Sequence, residues 1–139
     1  MKIHTSVRYG LRALIEIGKN STPLLQKEIS KNQDIPLNYL DEIISGLKNA
    51  GLISNYGGRG SGYILAKSPA NISVYMAYRA FSPDLQLVNC TCETNECKRT
   101  NVCPAKDFWF ELNTQIREIM TQTSIESFLE KENIINETN

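Results

Sequence analysis

The sequence lacks several features that are common among enzymes. It contains one histidine, His4, and it has no glycine-rich nucleotide-binding motif, no pair of catalytic carboxylates and no C-x-x-C pair of the thioredoxin type. Without these groups, neither nucleotide-dependent chemistry nor thioredoxin-like redox chemistry is expected. The sequence therefore argues against an enzyme and favours a protein that acts by binding.

The chain also lacks a long hydrophobic run. No apolar segment approaches the roughly 18 residues needed to cross a bilayer, and charged residues interrupt the first 20 residues too often for a secretory signal. We therefore expect a cytoplasmic protein without a membrane partner, in which thiols stay reduced. With 139 residues, of which 41% are hydrophobic, the chain can form one domain with a core.

The net charge of the whole chain is zero, but its two halves carry opposite net charges. Residues 1–70 hold nine Lys/Arg and five Asp/Glu, a net of +4, and residues 71–139 hold six and ten, a net of −4. This is the distribution expected if the first half meets a polyanion, although so small an excess also fits an ordinary mixed surface.

The spacing of apolar residues predicts three helices in the first part of the chain. The first runs from Thr5 to Gly18, with Thr5 or Ser6 as its N-cap, and the others cover residues 24–32 and 37–51. Each has an apolar stripe at helical spacing and a polar opposite face. The inward-facing residues of the second and third helices are predicted to include Leu24, Leu25, Ile29, Leu37, Leu40, Ile43, Ile44 and Leu47.

Two runs with strand propensity follow, over residues 52–56 and 62–66, separated by the glycine-rich turn GGRGS. Three helices and a two-stranded wing, in this order, predict a mainly α winged helix-turn-helix with a small β-hairpin. In that fold the third helix lies in the DNA major groove, and the wing tip reaches the backbone or the minor groove. The pattern therefore predicts binding to double-stranded operator DNA.

Candidate DNA contacts follow from this architecture. On the third helix, tyrosine and serine can bond phosphate, lysine can neutralise it, and asparagine or aspartate can read base edges. In the wing, Arg59 has no acidic neighbour within the turn and is free to meet phosphate or a narrow minor groove. The helix residues alone would also fit an ordinary solvated face. The predicted DNA contacts are Asn38, Tyr39, Asp41, Ser45, Lys48, Arg59, Gly60, Ser61, Lys2 and Arg8.

A linking helix is predicted over residues 68–81, and a longer helix over residues 104–123, with Pro104 at its first position. The longer helix carries an apolar stripe that the short remainder of the chain is not expected to cover. This favours pairing with a second copy of the chain, since helix-turn-helix proteins commonly read two half-sites as dimers. The alternative is a helix folded back on its own wing domain. The stripe consists of Phe108, Leu112, Ile116 and Ile119.

All four cysteines, Cys90, Cys92, Cys97 and Cys103, lie within 14 residues, with the spacing C-x-C-x4-C-x5-C. Structural zinc favours C-x2-C pairs, which are absent here, whereas wider gaps suit an iron–sulfur cluster. Basic residues directly after Cys97 also favour thiolate over thiol. A zinc site, a redox disulfide and four unrelated thiols remain alternatives. The expected division is a DNA-binding region with linking helix (1–82), a cysteine-rich loop (83–104), and a dimerisation helix with its tail (105–139).

Several of these segments together resemble the IscR/NsrR group of bacterial winged-helix regulators, a family that also includes cluster-free members such as CymR. The similarity lies in SVRYGLRALIEIG, IPLNYLDEIISGLKNAGLI, the wing ending GRGSGY, the spaced cysteines and CPAKDFW, and it covers about residues 1–130. It implies a homodimeric transcription factor in which three loop cysteines ligate a cluster whose occupancy or redox state controls DNA binding. Similarity to IscR slightly favours [2Fe–2S], and [4Fe–4S] also fits four cysteines.

The chain departs from this group at the fourth cluster ligand. IscR-like members supply a histidine three residues after the last cysteine, where this chain has Lys106, and NsrR-like members use a carboxylate where it has Arg8. The candidate is therefore a cluster held by all four cysteines, with His4 as a remote alternative. The wing also differs, because the family often has arginine at the position of Gly57 and this chain has Arg59 two residues later.

The expected function is a homodimeric DNA-binding repressor or activator that senses iron–sulfur status, redox state or nitric oxide through a cysteine-ligated cluster. Two alternatives remain open. One is a zinc-stapled or thiol-redox winged-helix regulator without a cluster, and the other is a protein-interaction module. Salt dependence distinguishes DNA binding from the last of these, because phosphate neutralisation makes affinity fall steeply with salt.

Overall fold

The computed structural model describes residues 2–88, 98–99 and 101–138, and within them the chain is mainly helical with one small β-hairpin. This confirms the predicted fold class. No helix in these ranges is long and apolar enough to span a membrane. The elements are α1 (Thr5–Gly18), α2 (Gln26–Gln33), α3 (Leu37–Asn49), β1 (Ile53–Asn55), β2 (Tyr63–Leu65), a 3-10 turn (Pro69–Asn71), α4 (Val74–Arg79), α5 (Lys106–Gln122) and α6 (Ile125–Thr138).

Helices α1, α2 and α3 enclose an aliphatic core. Leu14 of α1, Ile29 of α2, and Leu40 and Leu47 of α3 are fully buried in it. Each lies on the apolar stripe of its helix, so burial of the three stripes against one another sets how the helices pack. The outer face of α3 is thereby turned away from the core.

Two leucines predicted to face this core do not do so. Leu25 and Leu37 are each 44% exposed. Leu25 is the N-cap of α2 and Leu37 is the first residue of α3, so both precede the first turn that packs inward. The prediction was wrong at these positions because the apolar pattern does not show where a helix begins.

Further predicted helix starts differ from the structure. The linking helix predicted from residue 68 begins only at Val74, because residues 69–71 form the 3-10 turn. His4, and neither Thr5 nor Ser6, is the N-cap of α1, because its carbonyl oxygen accepts the first helical N–H groups at 3.1 and 3.3 Å. Pro104 is not the first residue of α5. It lies in the preceding turn, and α5 begins at Lys106.

The wing is an antiparallel hairpin that a third stretch of chain extends. Strands β1 and β2 pair with Ile53 opposite Leu65. Leu24, just before α2, exchanges two backbone hydrogen bonds with Tyr63 of β2, at 3.1 and 2.8 Å. Gly62 permits this contact, because its φ is +96° and a Cβ there would lie 3.0 Å from the Leu24 backbone. The wing is therefore attached to the start of α2.

The C-terminal helices take different routes. α5 packs against α4, whereas α6 turns back onto α1 and the 3-10 turn. The junction between them is held by backbone hydrogen bonds from Ile125 to Ile72 and from Val74 to Thr123, both 2.8 Å. Because α6 packs on α1, it leaves much of the apolar stripe of α5 uncovered.

A buried carboxylate joins α1 to α2. Glu16 is 1% exposed and accepts hydrogen bonds from Asn32 (2.8 Å) and Gln33 (2.7 Å) of α2. It also pairs with Lys19 at 2.9 Å, and Lys19 reaches Glu132 of α6 at 3.0 Å. Burial alone raises the pKa of Glu16, but hydrogen bonds from Lys19, Gln33 and Asn32 outweigh it, so the pKa lies below its ordinary value.

Replacing Glu16 by Gln is expected to lower the free energy of unfolding at pH 7 by about 1–3 kcal/mol, because the buried amide lacks the charge that pairs with Lys19 and turns an NH2 group towards a former donor. The folded-state pKa is depressed, so this contribution is present above the unfolded-state pKa of about 4.3 and is lost as pH falls through the folded-state value. Urea unfolding at pH 7 and in acid measures both effects. Glu132→Gln is the control, with an expected cost below about 1 kcal/mol. Equal effects of the two substitutions would contradict this account.

Candidate nucleic-acid interface and cysteine segment

The outer face of α3 gathers four of the predicted DNA contacts. Asn38, Asp41, Ser45 and Lys48 are exposed and follow one another at intervals of three and four residues. Residues at these intervals share one side of a helix. The face therefore offers an amide, a carboxylate, a hydroxyl and an ammonium group in one row.

Gln26, the first residue of α2, contacts this row, although it was not among the predicted DNA contacts. Its side-chain amide donates to Asp41 Oδ1 at 2.5 Å and to the carbonyl of Leu37 at 3.4 Å. Lys48 Nζ lies 5.8 Å from the centre of the Tyr63 ring. Two shallow clefts lie on this side of the molecule, one beside α3 and one under the wing tip. Gln26 and Tyr63 line both of them. They connect α3 and the wing into one continuous surface.

The wing tip presents a cation on a glycine-rich turn. Arg59 is exposed, and none of the described residues forms an ion pair with it. Gly60 follows with a φ of +84°, a conformation that favours glycine. The hydroxyl and N–H of Ser61 both donate to the carbonyl of Gly58, which closes the turn. The guanidinium is therefore available to a ligand.

Three other predicted DNA contacts have different surroundings. Tyr39 is half-buried, because its ring packs edge-on against Tyr9 of α1 with centroids 5.3 Å apart. Lys2 and Arg8 are exposed at the N-terminal end of α1, where Arg8 donates to the hydroxyl of Thr5 at 3.2 Å. No hydrogen bond or ion pair among the described residues joins Lys2 or Arg8 to α3 or the wing, and their roles stay predictions.

Of the four cysteines, Cys103 is described, whereas Cys90, Cys92 and Cys97 lie outside the described residues. Cys103 is half-buried in the turn before α5, and its carbonyl accepts from the N–H of Lys106 at 3.3 Å. Across the described ranges, no three His, Cys, Asp or Glu side chains are placed to hold a metal ion. The structure therefore shows the position of one of the four cysteines, in the turn before α5.

The predicted dimerisation stripe is exposed at both of its ends on α5. Phe108 is 60% exposed and Ile119 is 66% exposed, whereas Leu112 and Ile116 are half-buried. Phe108 also packs edge-on against Trp109, with ring centroids 4.9 Å apart. An apolar row of this length is open to a further partner.

Comparisons with known proteins agree with this geometry. The profile of the Rrf2 family, described as iron-dependent transcriptional regulators, matches residues 3–131. A Neisseria meningitidis protein assigned as an HTH-type transcriptional regulator is 30% identical, over 96% of this chain and 90% of its own. The HTH-type transcriptional regulator IscR of Pectobacterium atrosepticum is 25% identical, over 98% of this chain and 84% of its own.

A solved structure is also similar. The structure of CymR, the global cysteine regulator of Bacillus subtilis, superposes with a TM-score of 0.78 at 27% identity, and the match covers 94% of this chain and 98% of that one. The resemblance to the IscR group is confirmed, and the relatives are transcriptional regulators, which are not enzymes. From its winged-helix architecture and its match over residues 3–131, this chain belongs to the Rrf2 family of transcriptional regulators.

Proposed function

We propose that the protein is a homodimeric transcriptional regulator that binds operator DNA and senses iron–sulfur status, redox state or nitric oxide through a cysteine-ligated cluster. The observation that carries the DNA-binding part is the continuous surface formed by the outer row of α3, Gln26, Tyr63 and the wing. A recognition helix beside a cationic wing is the arrangement that winged-helix proteins use to contact a groove and its backbone.

Each group on this surface has a distinct part in the proposed complex. Asp41 accepts from the exposed amino group of cytosine, and Gln26 holds its carboxylate in place through the hydrogen bond at 2.5 Å. Asn38 reads a base edge, and Lys48 neutralises a phosphate. Arg59 enters the minor groove or contacts its backbone from the wing tip.

The four cysteines form the proposed sensing site. Thiolates are the usual ligands of iron–sulfur clusters, and Cys103, in the turn before α5, would supply one of them. Cys90, Cys92 and Cys97 complete a four-thiolate set, with [2Fe–2S] slightly favoured over [4Fe–4S]. When bound, the cluster supplies a centre that oxidants, nitric oxide or iron loss can alter.

The exposed stripe of α5 supports the dimer. Phe108 and Ile119 project an apolar row that neither α4 nor α6 covers, and a second copy of α5 would bury it. A symmetric pair presents two copies of α3 to two half-sites of a DNA duplex.

A second candidate is a thiol-redox regulator with no cluster. The similarity to CymR, described as a global cysteine regulator, favours it. In this version the same cysteines react directly with an oxidant or with a small thiol, and α3 and the wing bind DNA as above. Iron and sulfide analysis of the purified protein separates the two versions.

Replacing Arg59 by Ala tests the wing. Affinity for a duplex selected from a random-sequence library is expected to fall about tenfold, or 1.4 kcal/mol. The slope of log affinity against log salt is expected to decrease by about one, because one phosphate contact is lost. Lys131→Ala on α6 is the matched control and leaves both quantities unchanged. An unaltered slope in Arg59→Ala would show that the wing does not touch phosphate.

A further inference from the structure

The segment that follows α4 lies against the DNA-reading helix. The ring of Phe81 occupies a slot between α1 and α3, made by Gly10 on one side and Gly46 on the other. A Cβ at either glycine would lie 2.4 Å from the ring, so the slot exists only because both positions lack a side chain. Gly46 is next to Ser45 in the outer row of α3, and the position of the ring therefore affects how α3 is seated.

The same segment is attached at its other end to α5. Asn113 of α5 is 6% exposed, donates to the carbonyl of Leu85 at 3.1 Å and accepts from the N–H of Leu87 at 2.9 Å. The side-chain amide of Asn113 is thus hydrogen-bonded to both an N–H and a carbonyl group of the segment's backbone. This two-point contact fixes the chain immediately before the cysteine-bearing stretch.

Charged and aromatic groups strengthen this attachment. Asp84 accepts a hydrogen bond from the hydroxyl of Tyr75 on α4 and pairs with Arg117 of α5 at 3.1 Å. Arg117 also donates to the carbonyl of Leu85 at 3.1 Å. The segment is therefore tied to α4 and α5 at one end, and its Phe81 ring lies between α1 and α3 at the other.

Two polar groups lie unpaired beside this attachment. Two buried side-chain atoms in it, Ser82 Oγ and Arg117 Nε, have no hydrogen-bond partner among the described residues. Natural proteins leave few buried polar atoms unpaired, and an exception calls for an explanation. A bound water could pair with either atom.

We propose that residues 81–88 are a coupling segment, in which Asn113 and Phe81 are positioning residues that transmit the state of the cysteines to α3. The proposal rests on the proposed function, because it presumes that the cysteines change state. The cysteine-bearing stretch begins just after Leu87, held by Asn113, and ends at Cys103, directly before α5. A change in that stretch therefore acts on α5 and the segment together, and Phe81 carries it to α3.

The test compares Asn113→Ala with Thr114→Ala, a neighbour whose hydroxyl donates to the Phe110 carbonyl of its own helix. The first readout is affinity for a selected DNA duplex before and after the thiols are alkylated with N-ethylmaleimide. We expect the two affinities to differ at least tenfold in the unaltered protein and in Thr114→Ala. In Asn113→Ala they are expected to differ less than twofold.

A second readout needs no DNA. Hydrogen exchange of the amides near Gly46 in α3 is expected to change on alkylation in the unaltered protein and to stay constant in Asn113→Ala. One outcome separates the two proposals: alkylation changes hydrogen exchange near Gly46 but not DNA affinity, and Asn113→Ala abolishes the change in exchange. The coupling then stands, and the proposed function fails. If exchange in α3 ignores alkylation, or if Asn113→Ala keeps the response, the coupling is overturned.

Phe81→Leu provides an independent test should Asn113→Ala fail to fold. It removes the ring from the slot but keeps an apolar side chain, and we expect the exchange response to fall by at least half. Gly46→Ala is expected to clash with the ring, and Gly46→Ala/Phe81→Leu is expected to recover the fold and remain uncoupled. A double variant with the full alkylation response would overturn the role of Phe81.

Discussion

Replacing Ile119 by Glu is expected to convert the proposed dimer to a monomer and to lower affinity for a two-half-site operator by about 100-fold or more. Ile119 is 66% exposed on α5, in the apolar row that a second copy is proposed to bury. A carboxylate there would lose its hydration in the interface, which costs far more than the contact gains. A monomer also loses the high effective concentration that links binding at two half-sites, which accounts for the size of the effect.

Sedimentation equilibrium and operator binding measure the two parts of this prediction. Thr121→Glu is the matched control, because it adds the same charge to an exposed position two residues along α5 and so on a different side of the helix. It is expected to leave the dimer and its affinity intact. A dimer that survives Ile119→Glu would place the interface elsewhere.

Replacing Cys103 by Ser is expected to remove most of the bound iron and acid-labile sulfide and to abolish the response of DNA affinity to oxidants. Serine is nearly isosteric, but its hydroxyl stays protonated near neutral pH and is a poor ligand for iron. Loss of one ligand group typically lowers metal affinity by at least the roughly 10–100-fold seen when supporting residues are removed. Because Cys103 lies in a turn outside the core, the fold is expected to persist.

Lys106→Ala is the control for this experiment. Lys106 follows Cys103 by three residues and occupies the place where the related IscR-like proteins supply a histidine, but an ammonium group cannot ligate iron. Iron and sulfide contents are therefore expected to be unchanged in Lys106→Ala. Full retention of iron in Cys103→Ser would mean that Cys103 is not a ligand and that the set must be drawn from the other three cysteines.

Much of the fold could be predicted from apolar spacing and turn residues. The order of three helices and a hairpin is as expected, whereas the linking helix predicted over residues 68–81 is a 3-10 turn followed by the shorter α4. Gly51 has a φ of +74° after α3, and Ser73 accepts from the N–H of Met76 at 3.1 Å. These features are local, so the residues that determine them are close together in the sequence.

The remaining features depend on contacts between distant residues. Phe81 with its two glycines joins positions 10, 46 and 81, and Asn113 contacts residues 85 and 87 across the cysteine-bearing stretch. Gly10 and Gly46 could not be identified from the sequence, because a glycine inside a helix does not indicate which side chain packs against it. Gln26 could have been identified from the fold itself, since the start of α2 lies beside the third helix in a helix-turn-helix.

Helix starts were the least accurate part of the prediction. Leu25 and Leu37 fit the apolar pattern of their helices, yet both lie at the helix start and are exposed. Pro104 fits the pattern of a first helical residue, yet it lies in the turn before α5. The backbone hydrogen bonds that decide these boundaries involve carbonyl groups, and the side-chain pattern does not report on them.

The measurement that tests the central claim most directly is a visible absorption spectrum, with iron, acid-labile sulfide and zinc analysis, on protein purified without oxygen. We predict broad visible absorption from thiolate-ligated iron, equal amounts of iron and sulfide, and no zinc. A colourless protein that contains one zinc ion or no metal would contradict the cluster. The winged helix and its DNA surface would then remain, and sensing would pass to zinc or to direct oxidation of the thiols.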